Sequence, residues 1–115
     1  MTTRKEALQE LLEKVEADVV PEWDDVDDVA RNQWANVVKA FHGSLDAAKE
    51  LHEAVLPGWG AKPTAGGAGA GVAYWGCVIE EWDSGEEISV HNMKCPARAW
   101  LIAILKALIA QDPEA

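Results

Sequence analysis

Few side chains in this 115-residue sequence carry obvious chemistry: His42, His52 and His91, Cys77 and Cys95, six tryptophans, a dense acidic run and Arg98. Metal binding is the first chemistry to weigh. His52-Glu53 has no second histidine four residues on, so the zincin pair is missing. His91 and Cys95 stand four apart and Cys77 lies upstream, but a fourth ligand and the paired spacing of zinc sites are lacking. Glu22, Asp24, Asp25, Asp27 and Asp28 form a run without a base. A calcium loop beginning at Asp24 would need Gly where Val29 stands and Glu where Ala35 stands. The run therefore reads as a solvated acidic face, or as a protein-interaction patch for a basic surface. No metal and no cofactor is predicted.

Nucleophilic and acid–base chemistry find no arrangement either. No serine sits in a G-x-S-x-G elbow, and Ser44 is better placed as a helix cap. Glu80 and Glu81 are adjacent on a predicted strand, so they point to opposite faces and cannot work as a pair. Residues 63–71, Pro-Thr-Ala-Gly-Gly-Ala-Gly-Ala-Gly, hold neither G-x-G-x-x-G nor a P-loop, and Lys62 precedes the glycines. The chain is predicted not to be an enzyme.

Binding is better supported. Six of the eight aromatic residues are tryptophan. Trp34 and Trp100 fall on apolar helical stripes and are predicted to be core. Trp23, Trp59 and Trp82 are candidate stacking or interface residues, because a thin domain cannot bury every indole. Arg98 lies in the first turn of the last predicted helix, the unfavourable end of that helix dipole for a cation. It reads either as part of an anion site with the helix amide end or as one half of a salt bridge to an acid such as Glu80 or Glu87. The candidate ligand-binding set is Arg98, Trp59, Trp82, Trp23 and His91.

The elements that must position these residues follow from periodicity. Leu8, Leu11, Leu12 and Val15 recur at helical spacing within residues 3–16, in an N-terminal segment (1–21) that Pro21 ends. A second helix carries Ala30, Trp34, Val37, Val38 and Phe41 on one stripe. Gly43 stops it, and Ser44 caps a third helix with Leu45, Ala48, Leu51, His52 and Val55 on one side. A short strand is predicted at 59–62, a flexible Gly/Ala-rich loop at 63–71, and strands at 72–82 and 86–93 around the turn Asp83-Ser84-Gly85. Residues 96–111 begin with Pro96 and form a helix apolar nearly all round, which needs cover on two sides. The sheet would supply one side. An earlier helix or a second subunit would supply the other, and a homo-oligomer is predicted on that ground.

Composition sets outer bounds. The formal net charge is −10 and hydrophobic residues make up 49% of the chain, values that suit a single packed domain over residues 1–115. The charge argues against a nucleic-acid backbone or an anionic membrane as partner. Met1-Thr2-Thr3-Arg4-Lys5-Glu6 leads into mixed charges instead of a signal-peptide core, which predicts an intracellular protein with reduced thiols.

Ser44-Leu45-Asp46-Ala47-Ala48, Leu51-His52-Glu53-Ala54-Val55-Leu56-Pro57-Gly58-Trp59-Gly60 and Pro96-Ala97-Arg98-Ala99-Trp100-Leu101 resemble small tailed-phage and prophage proteins of the phage α-β-α (ABA) sandwich domain family, over about residues 30–111. The resemblance implies an α+β fold, an α-β-α sandwich with a small antiparallel sheet of about three strands and three to four helices. It also implies a phage origin and a place of action in the host cytoplasm. The acidic run and the glycine-rich stretch are departures from the family pattern. The expected function is a non-enzymatic counter-defence protein that sequesters a small nucleotide-derived immune signal. The alternatives are an acidic, nucleic-acid-mimicking inhibitor of a host defence protein, of anti-CRISPR type, and a structural or assembly accessory.

Overall fold

A computed structural model describes residues 4–22, 32–66, 74–93 and 95–111. Four helices and one sheet make up this part: α1 (Arg4–Glu16), α2 (Trp34–Phe41), α3 (Leu45–Val55), β1 (Trp59–Gly66), β2 (Tyr74–Glu81), β3 (Glu87–Met93) and α4 (Pro96–Gln111). The three strands form an antiparallel meander in the order β1-β2-β3. The fold is α+β with a three-stranded antiparallel sheet, as the sequence predicts.

The layer order follows from α4. Its residues 99–105 are all buried, and so are Ala107 and Leu108. One side of α4 packs on β2 and β3; α1, α2 and α3 gather against the rest of it. The stack therefore runs sheet, α4, outer helices; the sheet is an outer layer and not the middle of the expected α-β-α sandwich, because α4, apolar nearly all round, takes the middle place. Its second side is covered by earlier helices of the same chain, one of the two covers that its composition demands. Ile102 is buried with its neighbours because the helix is enclosed on both flanks.

The other helices use their predicted faces. Leu8, Leu11 and Val15 are buried on α1, with Leu12 packed at the edge. Val37 and Phe41 are buried on α2 and Trp34 is half-buried, whereas Ala30 lies outside the described residues. The Ser44 side chain accepts the Ala47 N–H at 3.1 Å and caps α3. Leu45, predicted on the buried side of that helix, is exposed; the buried face is Ala47, Ala48, Leu51 and His52.

On the sheet, Ile79, Cys77 and Val90 face the helices and are buried. Gly85 takes φ +75° in the β2–β3 turn, the left-handed conformation expected there. The first strand corrects the sequence reading. Residues 63–66, predicted to open a flexible loop, continue β1 as far as Gly66, paired with β2 through Pro63↔Cys77, Thr64↔Gly76 and Gly66↔Tyr74. Backbone pairing needs no large side chain, and β1 is an edge strand, where proline is tolerated. Residues 67–71 of the predicted loop lie outside the described residues.

The two thiols differ sharply in setting. Burial pushes the Cys77 thiol up to about 12, against a weaker opposing hydrogen bond from the Lys62 backbone. A raised folded-state value means that the protonated thiol favours folding at neutral pH. That contribution is lost as pH climbs from about 9 towards about 12. Cys95 is half-buried at the start of α4. We expect one thiol per native chain to react with an aromatic disulfide reagent at pH 8, and the second only after unfolding. Simultaneous reaction of both would contradict this packing.

Candidate functional site

The predicted ligand-binding residues are dispersed. Arg98 is drawn into the fold. Its Nε and Nη2 donate to the Phe41 carbonyl at 3.2 and 2.8 Å, and Nη1 pairs with the Asp18 carboxylate. The guanidinium carbon also sits 4.0 Å from the centroid of the Phe41 ring. The apparent conflict with the α4 dipole is thereby resolved. Arg98 lies at the positive end of its own helix but caps the negative end of α2, whose last carbonyl it holds. The salt-bridge partner is Asp18, just past α1, and not Glu80 or Glu87. Arg98 thus ties together the ends of three helices. Arg98→Ala should lower stability by about 2 kcal/mol, and Arg98→Lys should recover only part of that, since one ammonium cannot reproduce the fork. Chemical denaturation of the three proteins checks this.

Trp59 is buried, and its carbonyl accepts the His52 Nε2–H at 2.8 Å. The Trp100 Nε1–H donates to His52 Nδ1 at 3.2 Å. This pattern fixes a neutral imidazole with its proton on Nε2. Trp59 therefore belongs to the core and leaves the candidate stacking set. His52, read from the sequence only as a member of an apolar stripe, is the buried polar link joining α3, β1 and α4.

Trp82 behaves differently. It is 70% exposed, the most exposed large hydrophobic among the described residues. Its indole crosses the start of β1, so close that a Cβ built on Gly60 would lie 2.6 Å from Trp82 Nε1. Together with Gly60, Lys62, Val78, Glu80 and Glu87 it lines an open cavity of about 450 Å³ on the face of the sheet away from α4. Gly60, Glu80 and Glu87 stand in one row across the three strands. Among the described residues, Lys62, Glu80 and Glu87 take part in no ion pair. Glu87 accepts a hydrogen bond from Ser89 Oγ at 3.4 Å.

His91 is exposed on β3, and Cys77 faces the opposite, buried side of the sheet. Among the described residues no three His, Cys, Asp or Glu side chains come together as a metal-binding group. Of the predicted protein-interaction run, Glu22 is exposed, while Asp24, Asp25, Asp27, Asp28 and the neighbouring Trp23 lie outside the described residues. No helix among the described residues is long and apolar enough to cross a membrane.

Compared with known proteins, the chain matches no family model, no curated protein and no solved structure.

Proposed function

We propose that this is a non-enzymatic binding protein that acts through the uncovered face of its sheet on a basic surface of another protein. The observation that carries the reading is the exposed indole of Trp82, set over Gly60 beside Glu80 and Glu87. Tryptophan is enriched among the residues that carry most of the binding energy in protein interfaces. The net charge of −10 adds long-range steering towards a basic partner. With the resemblance to small phage proteins, the setting we infer is counter-defence in the host cytoplasm. The partner would be a host defence protein whose nucleic-acid-binding surface is blocked.

Sequestration of a nucleotide signal draws less support from the geometry. Its phosphate would have to displace Asp18 and the Phe41 carbonyl from Arg98, and Glu80 and Glu87 repel an anion beside Trp82. The test is phage plating on a bacterium that carries an active defence system and expresses the protein. The wild-type chain should raise plating efficiency, and Trp82→Asp should lower that gain at least tenfold with its melting temperature unchanged. Full activity of Trp82→Asp would remove the sheet face from the function.

A further inference from the structure

We infer that the cavity on the uncovered sheet face receives an arginine side chain of the partner, its guanidinium stacked on Trp82 and hydrogen-bonded to Glu80 and Glu87. This rests on the reading of that face as the working surface.

The argument begins with a placement that folding alone disfavours. Glu80 and Glu87 are directly opposite in the β2–β3 register, and like charges facing each other across strands are unfavourable. Neither carboxylate is within ion-pair distance of a basic side chain among the described residues. Lys62 lines the same cavity without pairing, so two carboxylates and one ammonium leave a single negative charge there. One incoming monocation balances it.

The shape then selects the cation. The Trp82 indole lies against Gly60, is 70% exposed and lines the cavity, so an aromatic surface is open to a ligand there. A planar guanidinium stacks on such a surface, where cation–π attraction adds to the contact. Its fork of N–H donors matches carboxylates in two-point geometry, which a lysine ammonium cannot do. A cavity of about 450 Å³ holds the guanidinium and the end of its aliphatic stem, while the partner backbone stays outside. A divalent metal suits the site less well, since no third acidic or imidazole ligand joins the pair among the described residues.

The probe is the tripeptide N-acetyl-Gly-Arg-Gly-amide, with its lysine counterpart as control. Both are titrated into ¹⁵N-labelled protein, with the six indole N–H signals followed directly. The Trp82 indole is assigned from Trp82→Phe. The arginine peptide should move the Trp82 indole and the amides of Gly60, Glu80 and Glu87, and bind at least tenfold more tightly than the lysine peptide. Glu80→Gln with Glu87→Gln should abolish this response in a chain at least as stable, because the like-charge contact is gone. Glu13→Gln with Glu16→Gln, on exposed positions of α1, should leave it intact.

Equal responses to the two peptides, or shifts spread over α1, would overturn the proposal in favour of nonspecific charge attraction. A still Trp82 indole, with plating activity that Trp82→Asp abolishes, would overturn the arginine assignment alone and leave the sheet face as the working surface. Plating activity that survives Trp82→Asp would remove both.

Discussion

Leu105→Asp should give a chain with no cooperative thermal transition. Leu105 is 2% exposed at the centre of α4, between the sheet and the outer helices. The substitution removes the apolar contacts of a core leucine, worth about 2–5 kcal/mol, and adds a carboxylate that has no partner there. A domain of this size has about 5–15 kcal/mol of stability in total. Lys106→Asp on the next, half-buried position should keep a transition, and Leu105→Ala should keep a weakened one. Circular dichroism melts of the three variants decide the matter. A folded Leu105→Asp chain would mean that α4 is peripheral.

The second large effect is expected at His52. His52→Leu keeps the volume roughly constant but strands two buried polar groups, the Trp100 indole N–H and the Trp59 carbonyl. Each unsatisfied group costs about 1–3 kcal/mol, so the loss should be about 2–6 kcal/mol. Trp100→Phe in the same background removes one stranded donor. The double variant should therefore lose less than the sum of the two single losses, by about 1 kcal/mol. Denaturant titrations of the four proteins in the cycle measure this directly. Strict additivity would show that the imidazole merely fills space.

These two sites also mark how far the sequence could be read. The bounds of α4, the Ser44 cap and the left-handed Gly85 are local matters, decided by residues within a few positions, and they were legible. The extension of β1 to Gly66 was not, because its small residues gain order from pairing with β2 and not from their own propensity. Arg98 advertised an unusual position but not its solution, since Asp18 lies 80 residues away and Phe41 57. Trp59 and Trp82 looked alike in sequence. The sheet register and the β2–β3 turn place the first against α4 and the second over Gly60. Glu80 and Glu87 signalled only possible salt-bridge partners of Arg98. Their shared row became meaningful once the hairpin register was known.

The central position of α4 has a consequence for synthesis. Among the described elements, the helix that every other layer leans on comes last in chain order, so the ribosome delivers it after the sheet and the outer helices. At about 5–20 residues per second, the stretch from Arg4 to Cys95 takes roughly 5–20 s to synthesise, and until α4 follows it the sheet and the outer helices lack the layer that joins them. Folding of this domain thus waits on α4, and a ribosome stalled before Pro96 holds out the apolar faces of the sheet and outer helices, which proteases and holdase chaperones recognise.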